Sequence, residues 1–379
     1  MRKVGIVSEY FYPHLGGITE HVNYFSKELI RRGIEVVLLT GDMGGDSDIE
    51  IPEGLRIIRV GKSATIYSGD SFAKVTMGLR LKRKIKQILS EEKFDLLHIQ
   101  SALQPTLPIM FQKYSDTITV GTFHSYFGSS LFYHVFHKPL QKYLERLDGR
   151  IAVSPACIEA LSRYFKIDFK IIPNGVDTSW FGQSCKPVPA YADGAPNILF
   201  LGRLDPRNGL DILIDAMPKI VAQIPNARLL IAGDGPLRSY YEKQTGGLLN
   251  RHVFFEGQIN ESRPNYFAAC DVFCYPATKA SFGITLLEAM AAGRPVVAAD
   301  NIGFKDVVQS GVNGYLARQG DPDDLARALI KVLQDRSFAA GLVAKGREMV
   351  KRYSWPRVTD EILAYYNEIF LARKGERFI

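Results

Sequence analysis

Ser281-Phe282-Gly283-Ile284-Thr285-Leu286-Leu287-Glu288-Ala289-Met290-Ala291-Ala292-Gly293-Arg294-Pro295-Val296-Val297 reads as a glycine turn that opens an apolar helix, a Gly-x-Pro stop, and then a buried strand. Together these make half of a βαβ unit. Such a turn is built to receive an anion. The backbone N–H groups of Ser281, Phe282, Gly283 and Ile284 have no partners inside the helix, and the helix dipole adds partial positive charge there, so a phosphate ester is the expected guest. Glu288 follows one turn later. Positions 284 and 288 share a helix face, so a ligand lying over the N-terminus meets the Glu288 carboxylate, which can accept from both hydroxyls of a ribose.

The 379 residues are long for one core and suit two domains of ordinary size. A formal charge of +7 is mild over this length; it permits anionic partners without requiring nucleic acid, and none is expected. Cys157, Cys185, Cys270 and Cys274 form no C-x-x-C pair and have no nearby histidine partner, so zinc and disulfides are not expected and a reduced cytoplasmic compartment is the simpler reading. The opening Met1-Arg2-Lys3 resembles a signal n-region, but the apolar run after it stops at Ser8 and Glu9 and reads instead as a first strand. No apolar run approaches the roughly 20 residues of a transmembrane helix. Any membrane contact is therefore expected to be peripheral.

In the amino-terminal half, a strand over 4–8, a turn through Tyr12-Pro13-His14-Leu15-Gly16-Gly17, a helix over 18–32 and a strand over 34–40 make a βαβ opening. The Gly16-Gly17 pair lacks the spacing of a dinucleotide fingerprint. It is either a close backbone approach to a diphosphate or an ordinary βα turn. Tyr10, at the mouth of the first strand, either faces an acceptor or forms the rim of the core. Strands are expected over 55–60 and 94–100. Between them Leu81, Ile85, Ile88 and Leu89 share one helical face while Arg80, Arg83, Lys84 and Lys86 point away. This basic amphipathic helix is either a solvated face or a surface for anionic lipid headgroups, at about 1 kcal/mol per basic residue. A strand over 118–123 ends at His124, and in α/β sheets ligands gather at the carboxyl ends of strands.

Residues 182–196 are rich in proline and small residues and read as a linker; the domains are expected to be 1–182 and 197–355, joined by 183–196, with a final helix over 356–379. A second α/β alternation begins at a strand over 197–201. The loop from Gly202 to Gly209 carries Arg203 and Arg207 and precedes a helix over 210–224. A strand over 228–232 leads to Gly233-Asp234-Gly235-Pro236, a strand over 253–257 leads to Gln258 and Ile259, and residues 271–275 lead into the opening stretch. Asp321-Pro322-Asp323-Asp324 precedes an amphipathic helix, so capping is expected there rather than a metal.

Ser281 to Glu288 resembles the nucleotide-sugar signature of the retaining glycosyltransferases of family 4, which have the GT-B fold, and the resemblance covers nearly the whole chain. Within that family the chain is most similar to bacterial phosphatidylinositol mannosyltransferases. The implied fold is α/β, two doubly wound Rossmann-like domains facing across a cleft. The family pattern has two glutamates eight positions apart; Glu288 is the second, and the first falls on Ala280, which has no carboxylate. Gly233, in a loop that lets backbone come close to a ligand, is expected to bind the donor; the resemblance carries Gly16 and Gly17 over to the donor phosphates and Ser281, Phe282, Gly283 and Ile284 to the nucleotide-sugar donor. It gives Gln258 and Ile259 to the base through backbone groups, and His124 to the donor sugar. It places an Arg and a Lys in the loop at 202–209; Arg203 matches, and the lysine position falls on Asn208, where Arg207 next door supplies a cation. Glu288, His124 and Arg203 are the implied catalytic set. The implied membrane and acceptor residues are Tyr10, Arg80, Arg83, Lys84 and Lys86. The final helix is implied to cross back to the first domain.

The expected reaction is therefore retaining transfer of a hexose from GDP-mannose, or from a UDP-sugar, to an anionic lipid or glycolipid at the inner face of the cell membrane. No cofactor or metal is required. Two rival readings are a nucleotide-sugar-binding protein of weak or altered activity, motivated by Ala280 and Asn208, and an NAD-dependent or epimerase-type enzyme, against which the missing G-x-G-x-x-G counts.

Overall fold

The structure, a computed structural model, describes residues 2–14, 16–44, 51–68 and 71–379. It forms two compact units: one runs to Gly175 and takes in Trp355–Ile379, and the other is Val176–Ser354. In the first unit the chain runs β1 (Lys3–Ser8), α1 (Gly17–Arg31), β2 (Glu35–Asp42), β3 (Arg56–Ser68), β4 (Ser71–Met77), α2 (Leu81–Glu92), β5 (Leu96–Gln100), α3 (Leu107–Tyr114), β6 (Ile118–Phe123), α4 (Leu131–Arg146), β7 (Gly149–Ala152), α5 (Pro155–Ser162) and β8 (Lys170–Ile171). The second unit follows with α6 (Thr178–Gly182), β9 (Asn197–Leu201), α7 (Leu210–Gln223), β10 (Arg228–Ala232), α8 (Arg238–Gln244), β11 (Val253–Gly257) and α9 (Arg263–Ala269). It continues through β12 (Val272–Tyr275), α10 (Ile284–Ala291), β13 (Val296–Ala299), α11 (Ile302–Lys305), β14 (Tyr315–Ala317), α12 (Pro322–Gln334) and α13 (Arg336–Val350), before α14 (Trp355–Lys374) returns to the first unit.

The first sheet has the order β4-β3-β2-β1-β5-β6-β7-β8 and the second β11-β10-β9-β12-β13-β14. Every pairing is parallel except β3 with β4. Parallel strands covered by helices on both faces are buried on both faces, which is why β1 and β9 carry unbroken apolar runs instead of alternating ones, and why all of β5 is buried although His98 and Gln100 lie in it. In each sheet the strand order reverses beside the first strand, between β1 and β5 and between β9 and β12. Loops at such reversals diverge and leave room for a ligand outside the carboxyl ends.

Helix α1 buries Val22, Phe25 and Leu29, and α14 buries Val358, Ile362, Tyr366 and Phe370, against one face of the first sheet. On the other face lie Ile85 and Ile88 of α2, Leu107 and Phe111 of α3, and Leu140 and Leu144 of α4. The second unit packs α7 and α12 through Leu213, Met217, Leu325 and Leu329. The stretch at 183–196 lies within the second unit and is pinned to it. Tyr191 is buried, its hydroxyl donates to Glu256, and the Arg228 guanidinium lies 5.3 Å from its ring centre. Asp321 caps α12, accepting from the N–H groups of Asp323 and Asp324 at 3.0 Å.

Candidate active site

In the second unit the loops after β9, β10, β11 and β12 are stitched together by backbone. Gly202 N–H donates to Ala232 O at 3.0 Å, Gly233 N–H to Gly257 O at 2.7 Å, and Leu204 N–H to Asp234 O at 3.1 Å. Gly233 has φ 138°, and a Cβ there would stand 1.9 Å from Gly202 O, so only glycine lets these two loops lie back to back. Across the strand-order reversal, Arg207 O accepts from Thr278 N–H at 2.9 Å and from Thr278 Oγ1 at 3.2 Å. That fixes Arg207 beside the turn holding Ser281, Phe282 and Gly283. Arg203 lies on the same loop, half exposed, with Nη2 3.3 Å from Asp205 Oδ2. Asn208 is buried, and its Nδ2 donates to Arg203 O at 2.8 Å. The residue at the lysine position thus braces the loop and supplies no charge.

The turn into α10 follows from two glycines. Gly283 is the N-cap residue, left-handed at φ 98°. Gly303 lies under the turn: a Cβ there would meet Ala280 O at 2.1 Å. Phe282 is buried against Tyr353, with ring centres 5.7 Å apart. Ile284 opens the helix, and Ala280, where the family pattern has a carboxylate, is 8% exposed.

Glu288 is buried, and its Oε1 accepts from Arg263 Nη1 at 2.9 Å. Arg263 also donates from Nε to Asn260 O at 3.2 Å and lies 4.9 Å from the Trp180 ring centre. It therefore links the loop carrying Gln258 and Ile259 to Glu288. Gln258 is exposed, while Ile259 is buried and its carbonyl accepts from Ser262 Oγ at 3.2 Å. Nothing in the sequence around Arg263 signals this role, since its partner is distant in the chain.

In the first unit, Tyr10, Gly16, Gly17 and His124 lie at the carboxyl edge of the sheet. The Tyr10 hydroxyl accepts from Gln104 Nε2 at 3.2 Å, joining the loops after β1 and β5. Beneath it the buried Glu9 carboxylate accepts from Thr106 N–H at 3.1 Å, Leu107 N–H at 2.8 Å and Thr76 Oγ1 at 2.6 Å; burial raises its pKa against these bonds. Among the described residues a Cβ at Gly16 would meet nothing closer than His14 Nε2 at 3.7 Å, so no contact among them demands a glycine there. Gly17 begins α1.

His124 donates from Nε2 to Gln100 Oε1 at 2.6 Å, and its ring meets the edge of His21 at 4.8 Å. His21 in turn donates from Nδ1 to Asn174 Oδ1 at 2.9 Å and packs on Trp355. His98 bonds Thr122 Oγ1 at 2.6 Å and the Tyr366 hydroxyl at 2.5 Å. Burial lowers the pKa of all three, His21 to about 4 and His98 to about 3, and His124 is held well below the usual range by burial and then by its two neighbours. His124 is accordingly a neutral imidazole, able to hydrogen-bond a sugar hydroxyl. Arg80 is the left-handed N-cap residue of α2; it, Arg83, Lys84 and Lys86 are exposed, with Lys84 Nζ donating to Arg59 O at 2.8 Å.

Residues 15–180 match the family described as Glycosyltransferase Family 4, and residues 186–349 the family described as Glycosyl transferases group 1. Phosphatidyl-myo-inositol mannosyltransferase of Mycolicibacterium smegmatis is 34% identical to the chain over 97% of the chain and 94% of its own length. Among solved structures, sucrose-phosphate synthase from Thermosynechococcus elongatus superposes with a TM-score of 0.78 at 25% identity, covering 98% of this chain and 100% of its own. An Anabaena protein in complex with UDP-glucose superposes at 0.76 with 20% identity, covering 96% and 99%, a likeness of fold alone.

Proposed function

The chain belongs to glycosyltransferase family 4, with the GT-B fold, and is a glycosyltransferase; from that premise we propose that it transfers mannose from GDP-mannose to a phosphatidylinositol-type lipid, with retention at the anomeric carbon. The observation that carries this reading is the 34% identity with a phosphatidyl-myo-inositol mannosyltransferase along 97% of the chain. The donor diphosphate takes Arg203, Arg207 and the N–H groups of Ser281 to Ile284, preorganised for the charge that develops as the sugar departs. Glu288 accepts the ribose hydroxyls, and Gln258 and Ile259 hold the base. The sugar passes through an oxocarbenium-like state with His124 on its hydroxyls. The exposed cations of α2 hold the enzyme at an anionic bilayer; no helix among the described residues is long and apolar enough to cross a membrane.

Calorimetric titration of GDP-mannose and UDP-glucose into the wild-type chain and Glu288→Ala tests the donor assignment. A hydrogen bond to a charged group is worth about 1.5–3 kcal/mol, so the affinity for the preferred donor should fall about tenfold or more. Unchanged affinity would remove Glu288 from the site.

A second reading, donor binding with reduced turnover, is favoured by Ala280. A carboxylate there would act on the charge of the transition state, so its loss lowers rate more than affinity. Ala280→Glu then raises turnover with little change in donor affinity. Lower turnover together with weaker donor binding would mean that the pocket has been rebuilt around the alanine.

A further inference from the structure

Arg263 opens α9, and the elements around it are anchored independently of it. The Tyr266 hydroxyl donates to Glu256 Oε2 at 2.6 Å, which ties α9 to β11. Phe267 packs against Phe181 and Phe273, with ring centres 5.6 and 5.5 Å away. Asp177 caps α6 by accepting from the N–H groups of Ser179 and Trp180 at 3.0 and 2.9 Å, so the Trp180 and Phe181 rings stand on a fixed turn. All of these residues lie in the second unit.

The Arg263 guanidinium reaches three things at once. Its Nη1 donates to Glu288 Oε1, its Nε donates to Asn260 O, and its central carbon lies 4.9 Å from the centre of the Trp180 ring and 5.5 Å from that of Phe181. A planar fork has donors on separate edges and a face that stacks, whereas a lysine ammonium is a flexible point charge. Neutralising Glu288 needs neither the fork nor the stack. What they add is geometry. The terminal torsion of a glutamate is otherwise broad, and holding Oε1 fixes the plane of the carboxylate. Asn260 belongs to the loop that carries Gln258 and Ile259, and its carbonyl is held on the same rigid group.

We propose that Arg263 is a positioning residue for the nucleoside half of the donor. Through Glu288 it aims the carboxylate at the ribose hydroxyls, and through Asn260 it sets the base-holding loop at a fixed distance from that carboxylate; Trp180 fixes the plane of the fork. This rests on the reading that Glu288 accepts the ribose hydroxyls. Preorganisation of this kind shows as specificity: a carboxylate already aimed discriminates against a nucleoside that lacks the hydroxyls, and a loosely held one discriminates less.

The test measures, by calorimetry on the full chain, the binding of GDP and of 2′,3′-dideoxy-GDP, with the corresponding uridine pair beside them because the ribose preference belongs to the site whichever base it takes. Wild type should prefer the ribonucleotide by about tenfold or more, as expected for hydrogen bonds to a charged group. Arg263→Lys keeps a cation opposite Glu288 but loses the fork and the stack. Its preference should fall to about threefold or less, because the ribonucleotide loses more affinity than the dideoxy compound does. A residue that only stabilised the fold would weaken both nucleotides alike and leave the ratio where it was. Trp180→Leu leaves the ion pair in place without its stacking face and should lower the ratio several-fold. A wild-type preference that is unchanged in Arg263→Lys, or in Trp180→Leu if the lysine variant does not fold, would overturn the positioning role and leave the ribose assignment of Glu288 standing. No preference in wild type for either base would overturn both.

Discussion

Arg263 Nη1 stands 2.9 Å from Glu288 Oε1, and the two side chains are only 16% and 2% exposed. A buried carboxylate of this kind is tolerated because a cation lies against it; removing one partner leaves an uncompensated charge, at a cost of about 3–5 kcal/mol, whereas replacing both by apolar residues is often close to neutral. Arg263→Met should therefore destabilise the second unit by several times the cost of Arg263→Met with Glu288→Met, read from urea denaturation followed by the fluorescence of Trp180 in a Trp355→Phe background. Equal losses in the single and double variants would show that the pair contributes nothing beyond its packing.

Gly303 acts on the same turn from beneath. No left-handed backbone demands a glycine there, and alanine is the better helix former, yet a Cβ would stand 2.1 Å from Ala280 O. Backbone has to move. Gly303→Ala should lower stability by about 1–3 kcal/mol and weaken donor binding, because the Ser281–Gly283 N–H groups shift. Gly194→Ala is the control: Gly194, unlike Gly303, is left-handed, at φ 86°, so alanine strains the backbone there too, but it has open space around it and precedes β9, away from the turn. If donor affinity is the same in both variants, the turn is not part of the donor site.

The loop at Arg207 gives a prediction against the family pattern. Asn208 is buried and holds Arg203 O, so Asn208→Lys should fail to raise donor affinity although it restores the pattern's lysine. Arg207→Ala should lower affinity about tenfold, as expected for one charge-assisted contact. A tighter Asn208→Lys enzyme would show that the loop opens readily and that Arg207 is not the substitute.

The three histidines make the first unit acid-sensitive above the carboxylate range. An unfolded histidine titrates near 6.5, while His21 and His98 in the folded chain stay neutral down to about 4 and about 3. Below pH 6.5 the unfolded chain binds protons that the folded one refuses, so stability is present above 6.5 and is lost as pH falls toward those values. The slope is about 1.4 kcal/mol per pH unit for each histidine. The chain has two tryptophans, and Trp355 packs on His21. In Trp180→Phe, Trp355 emission then reports the first unit alone, and its urea midpoint should fall between pH 6.5 and 5.5. A flat midpoint over that unit would contradict the assignment.

What was legible in the sequence was whatever local pattern determines. Apolar runs mark most of the parallel strands of both sheets, though not the short β7, β8 and β14, the stretch from Ser281 to Val297 marks α10 and β13, and Asp321 before Pro322 marks a helix cap. The strand expected over 55–60 is the start of β3, but its extension and β4 go unread because an antiparallel edge ribbon carries no continuous apolar run, and α4 goes unread because its first two turns expose apolar residues where a helical pattern shows polar ones. Long-range partners were out of reach. His21, His98, His124 and Asn174 meet only when the sheet has formed, and no motif couples Arg263 to Glu288. The stretch at 183–196 has linker composition, yet Tyr191 ties it to β11.

The most direct measurement is transfer itself: wild-type chain, GDP-mannose labelled in the sugar, and phosphatidylinositol vesicles, with label followed into the lipid and the new linkage assigned by NMR. The account predicts an α-mannosyl lipid formed with equimolar release of GDP, and formation of that product at subsaturating donor slowed about tenfold or more in Arg207→Ala and Glu288→Ala. A β-linked product, label that stays in the aqueous phase while a non-lipid acceptor is mannosylated, or full activity in both variants would contradict it.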